Sequence, residues 1–80
     1  ATINVNVKSL NGSAEAEGKV KLKINVNDDT VYNQSVNAQV ESISQKISGK
    51  GTVTVKVYLD GILKATKDIN LNNVTSYTFE

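Results

Sequence analysis

Apolar and polar residues alternate with a period of two over several short stretches of the chain. The clearest are KVKLKINV at residues 19–26 and TVTVKVYL at residues 52–59. Side chains of a strand point alternately to opposite faces, so this period indicates strands with one buried face. The residues predicted to face a core are Val20, Leu22, Ile24, Val26, Val53, Val55, Val57 and Leu59.

The same pattern and the turn residues between the apolar runs predict six antiparallel strands. Asp60-Gly61, between Leu59 and Ile62, is a strong signal for a two-residue hairpin of type I′. Asn27, Asp28 and Asp29 predict a second turn. Each strand has one apolar face, which favours two sheets that share a core, a β-sandwich. The predicted strands cover residues 2–9, 19–26, 30–43 (in one piece or broken near 33–35), 52–59, 62–72 (in one or two pieces) and 74–79.

One segment has a second interpretation. From Val36 to Ile47 the apolar residues also fit the spacing of an amphipathic helix. An α+β fold of the ββαββ type, with its helix near residues 31–48, is therefore the alternative to the all-β fold.

An internal repeat favours the strand. Residues 3–28 align with residues 36–61 without a gap, at an offset of 33. The opening of the first copy, residues 2–7, alternates with period two, so its counterpart is predicted to be a strand as well. The offset leads to a third start at Ile69, which gives repeats at about 3–35, 36–68 and, in part, 69–80 within a single domain of residues 1–80.

The amino-acid composition limits the catalytic and metal-binding side chains that the chain can supply. The chain has no Cys, His, Met, Trp or Pro, and its 9 basic residues are all lysine. Without His or Cys it has no acid/base group that titrates near neutral pH, no thiolate nucleophile and no usual zinc ligands. A net charge of +1 and the lack of arginine argue against nucleic-acid binding. We therefore expect a protein that is not an enzyme and needs no cofactor or metal.

The chain has no stretch of about 18 apolar residues, so no membrane span is expected. Acidic turn residues (Asp28, Asp29 and Asp60) do not follow a calcium-loop pattern, and we interpret them as hairpin formers.

Residues 51–80, GTVTVKVYLDGILKATKDINLNNVTSYTFE, resemble the closing strands of immunoglobulin-like adhesion modules, which occur as repeats in bacterial and archaeal cell-surface proteins. The resemblance implies an immunoglobulin-like β-sandwich at the cell surface or outside the cell. It also implies a structural role as a spacer, an adhesin or a filament subunit, without catalytic residues.

Three groups of residues are candidates for interaction. The terminal strands, with Ile69, Leu71 and Tyr77 near the third repeat start, could be exchanged with a second copy or added to another surface protein. Tyr58, predicted to point outward, could stack on a glycan, which makes a carbohydrate-binding module one alternative function. A small protein-binding module is the other, and it goes with the ββαββ fold. Lys19, Lys21 and Lys23 on one strand face could hold an acidic glycan, although such lysines also serve to protect sheet edges.

Overall fold

The computed structural model describes residues 1–12 and 18–80, and it is built almost entirely of strands. The all-β class is confirmed. Residues 11–18, a polar stretch between the first two predicted strands, lie mostly outside the described residues. The elements are β1 (Thr2–Val5), α1 (Val7–Asn11), β2 (Lys19–Val26), β3 (Asp29–Asn37), β4 (Ile43–Lys46), β5 (Thr52–Leu59), β6 (Ile62–Asn70) and β7 (Ser76–Phe79).

The strands form two sheets. One has four strands in the order β3-β2-β5-β6, and all its pairs are antiparallel. The other has three strands in the order β4-β1-β7. In this second sheet β1 is antiparallel to β4 but parallel to β7, the one parallel pairing among the described strands.

Apolar side chains from both sheets form a single buried cluster, the hydrophobic core. All eight residues predicted to point inward from β2 and β5 are buried, which confirms their assignment. The three-stranded sheet contributes Ile3, Val5 and Phe79. Tyr77 lies edge-on to Phe79, with 4.9 Å between the ring centroids, so the two rings pack together.

Strand positions recur at an offset of 33 residues. β5, β6 and β7 begin and end 33 residues after β2, β3 and β4, respectively. The pairing of β2 with β5 is symmetric under this offset. Leu22 pairs with Leu59, and their counterparts, Val55 and Val26, pair with each other. Between these two pairs, Ile24 pairs with its own counterpart, Val57. A local two-fold axis therefore passes between Ile24 and Val57. It also relates β4 to β7, which run in opposite directions on the two sides of β1.

Both hairpins are closed by turns of the same kind. Asn27 and Asp28 have φ angles of 48° and 71°, and Asp60 and Gly61 have φ angles of 50° and 80°. Positive φ at both central residues is what a type I′ turn requires. The turn at Asp60-Gly61 is thus as predicted, whereas Asp29 belongs to β3 and not to the preceding turn.

Each turn is also bonded to the neighbouring hairpin. The side-chain Oδ1 of Asp60 accepts a hydrogen bond of 2.8 Å from the backbone N–H of Lys21, and Asn27 Oδ1 accepts one of 2.9 Å from the N–H of Thr54. Backbone bonds run in the opposite direction, from Asp60 N–H to Lys21 O and from Asn27 N–H to Thr54 O. The turn residues therefore hold the two hairpins together.

We expect Asp60→Ala to lower the free energy of unfolding by about 1 to 2 kcal/mol, because it removes this side-chain acceptor and places alanine at a positive φ. Urea unfolding measures the change. The matched control is Asp29→Ala, in which an exposed carboxylate is lost from a strand; no change beyond about 0.5 kcal/mol is expected there. Equal effects of the two substitutions would contradict the role assigned to the Asp60 carboxylate.

The first predicted strand, residues 2–9, is wrong beyond Val5. The chain forms the short helix α1, because Asn6 Oδ1 accepts a hydrogen bond from the N–H of Ser9 and so caps the first turn. Gly12, with φ of 71°, ends the helix. Val7 is buried in the helix just as it would be in a strand, which is why the period-two pattern continues past the change of structure.

The strand predicted at residues 30–43 is wrong beyond Asn37, and β4 (Ile43–Lys46) is a further strand that the sequence pattern did not predict. Asn37 Oδ1 accepts a hydrogen bond of 2.8 Å from the N–H of Gln39, and this turn ends β3. β3 continues without a break through residues 33–35. The alternative with a helix near 31–48 is wrong, because β3 and β4 occupy this segment.

The last two predicted strands are shorter than expected. β6 is one strand that ends at Asn70, whose Oδ1 accepts a hydrogen bond from the N–H of Asn72. β7 begins at Ser76, two residues later than predicted.

Candidate interaction surfaces

The outer face of the four-stranded sheet carries the predicted lysines. Lys19 and Lys21 are exposed and Lys23 is half-buried on β2, and Lys56 of β5 lies on the same face. Lysines two residues apart on a strand are separated by about 7 Å, so they form a row along β2. Within residues 1–12 and 18–80, none of the four is joined to a carboxylate. We call these four residues the lysine face.

Tyr58 lies beside this row. It is the register partner of Lys23 on one side and of Leu63 on the other. The Nζ atom of Lys23 lies 4.6 Å from the centroid of the Tyr58 ring, a cation–π contact. A sugar that stacked on this side of the ring would have to displace the lysine.

Sequence reasoning missed the exposed apolar residues of the second hairpin. Leu63 is 47% exposed and Ile62 is 60% exposed, at the start of β6. Their counterparts 33 residues earlier, Thr30 and Asp29, are polar. The Asp60-Gly61 turn contains a signal for the exposure of Leu63. A two-residue turn fixes the pairs Leu59–Ile62 and Tyr58–Leu63. Because Tyr58 points outward, its partner Leu63 lies on the same outer face.

The three-stranded sheet depends on the first eleven residues, which we call the arm (residues 1–11). β1 of the arm lies between β4 and β7 and pairs with both. Ile3, Val5 and Val7 are fully buried. The arm therefore contributes three fully buried side chains to the core.

Hydrogen bonds hold the arm on both sides. Toward β7, the N–H groups of Thr2 and Asn6 donate to the carbonyls of Thr75 and Phe79, at 3.0 and 2.8 Å. Toward β4, the N–H of Ile47 donates to the carbonyl of Ala1 at 2.8 Å. Ser44 Oγ also donates to Asn4 Oδ1 at 2.6 Å. We call the space between β4 and β7 that the arm fills the slot.

The residues near the predicted third repeat start do not share one surface. Ile69 is in the core, 2% exposed, and pairs with Val53 inside the four-stranded sheet. Leu71 follows β6 and packs against the core, and Tyr77 is half-buried on β7. Lys67 Nζ lies 5.8 Å from the centroid of the Tyr77 ring, which links β6 to the three-stranded sheet.

Acidic groups serve the turns and strands. Asp60 bonds to β2 as described above, and Asp68 Oδ1 accepts a hydrogen bond of 2.7 Å from Thr54 Oγ1. Among the described residues, no group of three or more carboxylate, histidine or cysteine side chains is placed to hold a metal ion.

No helix in the described part of the chain is long and apolar enough to cross a membrane.

No protein-family model matches this chain, and no curated protein or solved structure is significantly similar to it.

Proposed function

We propose that this chain is an immunoglobulin-like β-sandwich that serves as a structural and interaction module of an extracellular surface or filament assembly, without enzymatic activity. The observation that carries the proposal is the parallel pairing of β1 and β7: Thr2 pairs with Ser76, and Val5 with Phe79. The chain therefore enters the three-stranded sheet at one end and leaves it at the other. Modules with this geometry can be joined in series.

The shape agrees with a serial building block. The principal extents are 38 × 19 × 16 Å. Strands of eight or nine residues span about 27 to 30 Å, whereas four strands side by side span only about 14 to 19 Å. The long direction of the molecule thus follows the strands.

The sheet edges favour association through the three-stranded sheet. Both edge strands of the four-stranded sheet carry a register shift, with Val31 in β3 and Lys64 in β6 as the extra residues. Bulges and charged side chains on an edge strand hinder pairing with other chains. The edge strands of the three-stranded sheet, β4 and β7, pair with β1 without such a shift.

A duplication accounts for the two-fold arrangement. We propose that residues 19–46 and 52–79 are two copies of one three-stranded unit, and that the arm completes the second sheet. The extracellular or cell-surface location rests on the resemblance of residues 51–80 to modules of cell-surface proteins.

The mass of the native species tests the proposed assembly. Light scattering behind size exclusion, over a wide range of protein concentration, should show species several times heavier than the 8.6 kDa chain. A single chain at every concentration would overturn the proposal of a self-assembling module.

The control for this measurement is Leu63→Thr. It places at position 63 the residue type of its counterpart, Thr30, and removes the exposed apolar side chain from the outer face. Unchanged assembly is expected, because association is proposed at the other sheet. Loss of assembly would move the interface to the four-stranded sheet.

An acidic glycan is the second candidate partner, favoured by the lysine face, whose charges have no carboxylate partner in the described residues. Binding there would be weakened by salt and by replacing Lys21 with glutamine. The contact of Lys23 with Tyr58 favours recognition by charge over stacking on the ring. Salt-sensitive retention of a single-chain species on an anionic polysaccharide would support this alternative.

A further inference from the structure

We infer that the arm is the element exchanged between copies: the arm of one chain fills the slot of the next. This inference rests on the proposed function, because it names the contact by which the modules would assemble. The partner is a second copy of this chain, and the occupant of its slot is residues 1–11. β7, the other terminal strand, stays with its own chain.

The first observation is that only the arm bridges β4 and β7 in the described part of the chain. β4 and β7 do not pair with each other and are joined only through β1. The three fully buried aliphatic side chains of the arm, Ile3, Val5 and Val7, fill the core between them. A chain whose arm leaves therefore exposes a core surface and two unpaired strand edges, which only an equivalent strand can satisfy.

The second observation is that the arm stands outside the two equivalent units. Units 19–46 and 52–79 correspond strand by strand. The sequence repeat aligns β1 and α1 with residues 35–38 and 40–44, but those residues hold only the end of β3 and the start of β4, not an equivalent strand and helix. β4 and β7, which form the slot, both come from these units. The strands that line the slot therefore all come from outside the arm, as those of an acceptor site for strand exchange must.

The third observation concerns the connection of the arm. The arm pairs with β4 and β7, but the chain continues from it to β2, in the opposite sheet. Every contact between arm and slot is thus made with residues far away in sequence, and the arm of another copy can make the same contacts.

The fourth observation is that β7 is poorly suited to leave. β7 pairs only with β1, and it follows β6, whose Ile69 is buried in the four-stranded sheet. Leu71 N–H also donates a hydrogen bond of 2.9 Å to Gly51 O, which fixes the start of the β6–β7 connection. Only a few residues remain free to carry β7 to another molecule.

Pairs of cysteines in the full chain test the inference, and the chain has no native cysteine to interfere. Asn4 is the register partner of Ser44 on β4 and of Thr78 on β7. The two test variants are Asn4→Cys with Ser44→Cys and Asn4→Cys with Thr78→Cys. After assembly and oxidation, denaturing electrophoresis without reductant shows whether each disulfide lies within one chain or between chains.

If the arm is exchanged, both variants should form covalent dimers and longer ladders. If β7 is exchanged instead, only the Asn4–Thr78 pair should link chains, and the Asn4–Ser44 pair should close within one chain; this result would overturn the inference. Closure of both pairs within one chain would overturn it as well. In that last case, a large mass by light scattering would leave the assembly proposal standing on other contacts, whereas a single-chain mass would overturn both.

The control pair is Asn25→Cys with Lys56→Cys. These residues are register partners of β2 and β5, on the outer face of the four-stranded sheet and far from the arm. Their disulfide should close within one chain under all conditions. Ladders from this control would show that the ladders of the test variants arise from random oxidation, and would overturn the inference.

Discussion

Replacing Ile24 with alanine is expected to lower the free energy of unfolding by about 2 to 5 kcal/mol, the usual cost of truncating a buried isoleucine. Ile24 is fully buried and pairs with Val57 at the local two-fold axis. A chain of this length is stable by about 4 to 12 kcal/mol, so the variant loses a large share of its stability. The midpoint and slope of urea unfolding measure the change.

Lys21→Ala is the matched control for Ile24→Ala. Lys21 is on the same strand, but its side chain points outward and is exposed. Its backbone N–H still donates to Asp60, so the turn contact is kept. We expect a change within about 0.5 kcal/mol. A similar loss from both variants would show that β2 is not oriented as described.

Ile3→Ala is expected to have the second large effect, a loss of about 2 to 5 kcal/mol, because this fully buried side chain belongs to the strand that joins β4 to β7. Asn4→Ala, one residue further, is the control. It removes only an exposed side-chain hydrogen bond with Ser44, which is expected to cost about 1 kcal/mol or less.

Comparing Ile3→Ala with Asn4→Ala shows whether β1 lies in the middle of the sheet or only on the surface of the protein. A terminal strand that only lies on the surface would tolerate Ile3→Ala as well as Asn4→Ala.

The central strands, β2 and β5, could be predicted from the sequence because the alternation of polar and apolar residues agrees there with the burial of one strand face. β2 and β5 begin and end where predicted, since strict alternation fills each strand and positive-φ residues follow it. The edge strand β3 was harder to delimit. Val36 is the one buried residue of β3, so the alternation that marks a strand is weak along most of its length.

Other features depend on pairings between distant residues. The parallel pairing of β1 with β7 joins the two ends of the chain, and no local pattern encodes it. The contact of Lys23 with Tyr58 likewise follows from the pairing of β2 with β5. Phase alone placed Tyr58 on the outer face, but it could not show that a lysine covers the ring.

The helix α1 was missed for a different reason. Its signals were present, with Asn6 at the start and Gly12 at the end. The period-two pattern nevertheless predicts a strand here, because Ile3, Val5 and Val7 continue one alternating series and Val7 is buried in either structure. An aliphatic residue at the junction between a strand and a helix satisfies both patterns.

The most direct test of the central claim, that β1 joins β4 and β7 in one sheet, is a set of through-space NMR contacts from residue 4. The account predicts backbone contacts from Asn4 to both Ser44 and Thr78, with an antiparallel pattern on the first side and a parallel pattern on the second. These contacts are expected whether the arm lies in its own slot or in that of another copy. Contacts from Asn4 to only one of these residues, or to neither, would contradict the account.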